Sequence, residues 1–108
     1  MDADRARELL ANERLRIERA LGRLGHQDDG EVAGEDAASL ATDLYQDEFD
    51  EGLAEDLRAQ LAEVERAEER LTAGTYGLSI ESGRQIPDER LEAVPAAELT
   101  ADEEQARA

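Results

Sequence analysis

The residues able to do chemistry here are overwhelmingly carboxylates. The 108-residue chain carries 29 Asp and Glu, 12 basic residues that are all Arg, one His and no Cys. Adjacent acids at Asp28/Asp29 and Asp47/Glu48 are the raw material of general acid–base catalysis. That chemistry needs a carboxyl shifted by an apolar pocket and set against a nucleophile or base. Neither pair comes with such a pocket or nucleophile, so both are read as solvated surface. Asp28-Asp29-Gly30-Glu31 lacks the alternating acidic pattern of a calcium loop, which leaves weak, nonspecific cation binding at most. His26 stands alone and is read as an exposed loop residue rather than a pH switch. Without Cys there is no disulfide, thiol nucleophile or thiolate metal site. The chain is therefore expected to be non-enzymatic.

The charge is uneven. Residues 1–24 are net +1, residues 25–56 are net −12 with no Arg at all, and residues 57–108 are net −6, for a total of −17. A nucleic-acid backbone needs clustered cations, and anionic membranes are disfavoured for the same reason. A basic protein surface is the natural partner for the acidic block. No apolar run of 18 residues is present, and the N-terminus lacks the apolar stretch of a secretory signal, so the expected location is the cytoplasm.

Stepping from residues to elements, aromatics amount to only 3%, Tyr45, Phe49 and Tyr76. With Ala and Leu supplying most of the apolar content, long helices are expected rather than a broad globular core. Ala6, Leu10, Ile17, Leu21 and Leu24 form one helical stripe over Asp2 to Leu24, with Asp2 or Asp4 as cap. Residues 25–35 hold three Gly and read as a loop. A second helix is predicted from Asp36 to Thr72, with Leu53, Leu57, Leu61, Val64, Ala67 and Leu71 as its stripe. Neither stripe can remain in water, so the two should pair as an antiparallel coiled-coil hairpin with its tip near residues 25–38. Tyr45 and Phe49, four apart, are read as a local packing pair.

Beyond Gly74, a helix-ending residue, the alternation of Tyr76, Leu78 and Ile80 predicts a short strand. Glu81-Ser82-Gly83-Arg84 is a turn, and Gln85-Ile86 returns as a second strand. Gly74 and Gly83 are expected to need positive φ. Pro87 suits the start of a short helix over 88–93 that Pro95 stops. Thr100 with Glu103 is a capping box that opens a last helix to Ala108. The chain thus divides into a helical hairpin, 1–73, and a C-terminal knuckle with a short β-hairpin and short helices, 74–108.

In this C-terminal part, Gly74-Thr75-Tyr76-Gly77, Gly83, Ile86-Pro87, Arg90-Leu91-Glu92-Ala93 and Pro95 closely resemble the DksA/TraR C4-type zinc-finger family. The strong resemblance covers Gly74 to Glu103, and Thr42 to Leu53 looks like the helix leading into that finger. The family holds zinc with two Cys-x-x-Cys pairs. The resemblance places Ser79, Ser82, Thr100 and Glu103 at those four positions, so the flanks are kept and the ligands are gone. Hydroxyls and one carboxylate are poor zinc ligands, and a zinc-free knuckle with no cofactor is expected. Structural zinc contributes on the order of 10–16 kcal/mol in finger peptides. A helix cap is worth roughly 1 kcal/mol and a buried aliphatic side chain roughly 1.5–3 kcal/mol. Compensation is therefore expected from the capping box and from Tyr76, Leu78, Ile80, Ile86, Leu91 and Val94 packing on the hairpin.

The resemblance also implies a function. Family members insert a hairpin tip into the secondary channel of bacterial RNA polymerase, with acidic residues acting near the catalytic centre. Here Asp28, Asp29, Glu35 and Asp36 would be the acidic tip, and Arg84 and Arg90 a second contact surface on the knuckle. The implied role is a transcription regulator that binds polymerase, not DNA or RNA, as a monomer or weak dimer. The alternative is a zinc-free adaptor hairpin that dimerises through Leu10, Ile17 and Leu21 or binds another protein.

Overall fold

The computed structural model describes the backbone of residues 1–26 and 37–107 and the side chains of residues 1–24 and 50–107. Two long helices dominate, α1 over Ala3–His26 and α2 over Ala37–Ala73. Asp2 caps α1 as its sequence position suggested, its Oδ1 accepting the Arg5 backbone N–H at 2.7 Å. His26, expected in the loop, is instead the last residue of α1, because Gly22 and Gly25 lower helix propensity without breaking the backbone ladder.

The predicted stripes meet. Leu10 and Ile17 of α1 pack on Leu57, Val64 and Ala67 of α2, with Leu21, Leu24, Leu61 and Leu71 partly buried around them. Arg14 forks onto Glu68 through Nε (3.2 Å) and Nη2 (2.6 Å), and Arg16 donates to Gln60 at 2.9 Å. As α1 advances its partners retreat along α2, so the pair is antiparallel. Leu53 departs from its expected role and is exposed.

Helix α2 ends in a Schellman motif. The Thr75 N–H donates to the Arg70 carbonyl at 2.8 Å and the Gly74 N–H to the Leu71 carbonyl at 3.3 Å. Gly74 adopts the expected left-handed φ of 82°. The chain then reverses and lies back along the hairpin. The predicted pair of strands is reduced to a single antiparallel bridge, Leu78 with Gln85. Its two flanking bonds run from Ser79 N to Arg84 O (2.8 Å) and from Ile86 N to Gly77 O (2.7 Å). Pairing stops there because Gly83, at φ 76°, closes a tight turn, while the Ile80 N–H turns away to the Glu98 carbonyl at 2.9 Å.

Two short helices follow, α3 over Asp88–Ala93 and α4 over Ala101–Arg107. Ile86, Leu91 and Ala97 form a second small core with Tyr76 and Met1 against it. Leu78, Ile80 and Val94 do not join it and are 38%, 55% and 44% exposed. With only one bridge there is no pleated face to turn alternate residues inward. Ala96, Ala97 and Leu99, which follow Pro95, fill the contact instead.

Candidate functional site

The four residues at the family's ligand positions come together in the fold. Ser79 and Ser82 lie in the turn before the bridge returns, and Thr100 and Glu103 lie at the start of α4. Ser79 and Glu103 are the two buried polar residues among those described, at 4% and 7% exposure. The capping box forms in both directions. Thr100 N–H donates to Glu103 Oε1 at 2.9 Å, and Glu103 N–H donates to Thr100 Oγ1 at 3.3 Å.

The two serines add a second layer. Ser79 Oγ accepts the backbone N–H of Glu81 (3.1 Å) and of Ser82 (3.2 Å). Ser82 Oγ accepts the backbone N–H of Arg84 (3.2 Å) and its Nε–H (3.3 Å). A hydroxyl has two lone pairs and one proton. With the lone pairs engaged, each hydroxyl keeps its proton to donate. Donation by Ser82, then by the Thr100 backbone and by Ser79, pushes the Glu103 carboxyl down to about 2. Arg84 adds a looser ion pair, Nη2 to Oε2 at 3.8 Å.

A set of one saturated carboxylate and three hydroxyls does not fit zinc, which takes thiolate and imidazole. Among the described residues no group of three or more His, Cys, Asp or Glu is placed to hold a metal ion.

The other sequence-predicted residues fare differently. Asp28, Asp29, Glu35 and Asp36 lie outside the described residues, and the side chains of Tyr45 and Phe49 lie outside the described side chains. Arg90 is turned inward. Its Nε donates to the Leu99 carbonyl at 2.9 Å and its Nη2 pairs with Glu104, so it ties α3 to α4 instead of presenting a free cation. Arg84 stays exposed beside Ser82 and Glu103. Leu10 and Ile17 are spent inside the hairpin, so the dimer seam they could form is already occupied.

Sequence reasoning missed the ion pairs that seat the C-terminal segment on the hairpin. Glu98 receives Arg66 Nε and Arg70 Nη1, both at 3.1 Å, and these two arginines hold its carboxyl below the usual range. Arg5 of α1 forks onto Glu92 of α3 at 3.0 and 2.7 Å. Tyr76 donates its hydroxyl to the Pro95 carbonyl at 2.7 Å, and burial pushes its phenol up. These partners are 19 to 87 residues apart, and no local pattern announces them.

Comparison with solved structures places this architecture. The chain superposes on transcription factor DksA2 from Pseudomonas aeruginosa with a TM-score of 0.76, at 30% identity, covering 97% of this chain and 81% of that one. The chain has the DksA fold. No protein-family model matches the sequence. Two Bacillus subtilis (strain 168) proteins are similar in sequence. General stress protein 16O is 39% identical over 80 residues, 74% of this chain and 46% of that protein. The uncharacterized protein YteA is 42% identical over 62 residues, 57% of this chain and 26% of that protein. The chain thus spans less than half the length of these curated relatives.

Proposed function

We propose that this chain is a non-enzymatic transcription regulator of the DksA/TraR type that acts by binding bacterial RNA polymerase. The observation that carries this reading is the match to DksA2 over nearly the whole chain, hairpin and C-terminal segment together. In this reading the hairpin, 1–73, is the probe and the C-terminal segment, 74–108, is a metal-free knuckle that sets its base. The acidic run between Asp28 and Asp36 joins the two helices in sequence and is the part that enters the basic secondary channel. A net charge of −17 favours such a cavity over nucleic acid. No described helix is long and apolar enough to cross a membrane, in keeping with a cytoplasmic regulator.

The test is a pull-down with core RNA polymerase followed by run-off transcription. Wild-type protein is expected to bind core enzyme directly and to change initiation. The combined Asp28→Asn, Asp29→Asn, Glu35→Gln, Asp36→Asn variant is expected to keep part of the binding and lose the effect on initiation. Absence of binding by the wild type would remove the polymerase reading, and an unchanged transcription profile for the variant would remove the acidic tip from it.

A further inference from the structure

The C-terminal segment meets the hairpin through a short strap, residues 95–99, that follows α3. Three of its backbone carbonyls serve the C-terminal segment itself. Pro95 O accepts the Tyr76 hydroxyl at 2.7 Å, Glu98 O accepts the Ile80 N–H at 2.9 Å, and Leu99 O accepts Arg90 Nε–H at 2.9 Å. The Glu98 side chain turns the other way, onto α2. Arg66 forks onto it through Nε at 3.1 Å and Nη2 at 3.3 Å, and Arg70 Nη1 joins at 3.1 Å. Glu98 is thus held from both sides, by its carbonyl to the C-terminal turn and by its carboxylate to the hairpin. The apolar join beside it is small. Ala96 sits in the hairpin core and Ala97 in the second core, with Tyr76 against both and Met1 against the second. Two further ion pairs cross the join, but they end on the exposed carboxylates of Asp88 and Glu92, where a pair contributes little.

Arg70 makes this contact a switch rather than a graded one. Its side chain is 15% exposed, and its Nε and Nη2 are covered and without a partner. A guanidinium in that position needs an anion or water. Glu98 supplies the anion only while the strap lies on α2. Without it, the cation is hydrated only if the residues covering it move. We propose that Glu98 is an ionic latch. Closed on Arg66 and Arg70, it makes the hairpin and the C-terminal segment one body. Once broken, it lets the C-terminal segment lift from α2 while the α1–α2 core stays intact. The pivot is the connection Gly74–Gly77, where the two glycines have left-handed φ of 82° and 86°. Arg66 is half-exposed and Glu98 about a quarter exposed, so dissolved ions reach the pair and compete for it.

The latch is independent of polymerase binding and is tested on the full chain by a distance measurement and by hydrogen exchange. The chain has no Cys, so Glu65→Cys on α2 and Gln105→Cys on α4, both exposed, take a pair of spin labels. The otherwise wild-type chain at low salt is expected to give one narrow distance distribution. Glu98→Gln, which keeps the backbone carbonyl of the strap, is expected to add a second, longer component. In that variant the covered Arg70 Nε–H is expected to exchange roughly tenfold faster or more, while the Ile17 and Val64 amides of the hairpin core stay protected. Raising the salt to about 1 M is expected to move the wild type in the same direction on both readouts. Glu81→Gln, which removes only an exposed pair with Arg107, is expected to change neither. If Glu98→Gln fails to fold, the salt series on the wild type decides. A single unchanged distance in folded Glu98→Gln, or in the wild type at about 1 M salt, would overturn the proposal. So would a longer component that appears only together with loss of protection at Ile17 and Val64, because that is opening of the whole chain.

Discussion

At the scale of single residues, two acids decide how the C-terminal segment behaves. Glu103 is held at about 2 in the folded chain against 4.5 for the free side chain, chiefly by the Ser82 hydroxyl, the Thr100 N–H and Ser79. A carboxyl lowered by folding stabilises fully above its unfolded value and loses that contribution as pH falls toward the folded one. The melting difference between wild type and Glu103→Gln is therefore expected to be constant above about pH 4.5 and to shrink between there and about pH 2. A thermal-melt series across that range reads it directly. Glu98 acts differently, as the counter-charge for Arg70. That guanidinium is 15% exposed, and its Nε and Nη2 are covered without a hydrogen-bond partner, so Glu98 is the acceptor it depends on. Glu98→Gln leaves a nearly buried cation without its anion and is expected to cost about 1–3 kcal/mol in urea unfolding. Arg66→Gln, at the half-exposed end of the same cluster, is expected to cost about 1 kcal/mol or less.

At the scale of elements, helix starts and stops are local chemistry and were legible. Asp2, the Thr100–Glu103 box, Gly74 and the short helix after Pro87 all fall where the sequence placed them, because a cap or a left-handed residue is set by neighbours within four positions. Two glycines, one inside α2 and one just past its end, make opposite predictions. Gly74 sits at φ 82°, so Gly74→Ala is expected to destabilise by about 1–2 kcal/mol. Gly52 lies inside α2, where an added Cβ meets nothing within 4 Å, so Gly52→Ala is expected to stabilise by about 0.5–1 kcal/mol. Chemical denaturation of the two variants beside wild type separates them by sign. The strand reading failed for the converse reason. The alternation of Tyr76, Leu78 and Ile80 is a local signal, but whether strands pair further depends on where the Ile80 N–H goes, and it goes to Glu98.

At the scale of the whole molecule, charge and shape act together. Arg5, Arg14, Arg66, Arg90 and Arg107 are each tied to an acid of the same chain, which leaves the net −17 as the field a partner meets. For a basic polymerase cavity, attraction of this kind appears in the association rate and is screened by salt. The association rate with core polymerase is expected to fall roughly tenfold or more between 50 and 500 mM salt, about the range over which screening becomes strong. Surface plasmon resonance on immobilised core enzyme measures it. A rate indifferent to salt would remove charge steering from the mechanism.

The sequence by itself determined the two amphipathic stripes, the caps, the stop at Gly74 and the family likeness of the C-terminal segment. All of these are written in spacings of a few residues, where periodicity and backbone preference are sufficient. Only the tertiary structure decided that Leu78, Ile80 and Val94 stay in solvent, that Arg90 turns inward, that Glu98 clamps two arginines of α2, and that Arg5 of α1 reaches Glu92 of α3. Each of these joins residues distant in sequence, and such contacts form only once the turn after α2 has brought the C-terminal segment back along the hairpin. The absence of Cys was visible from the start. That Ser79 and Glu103, at two of those positions, are buried became visible only in the fold.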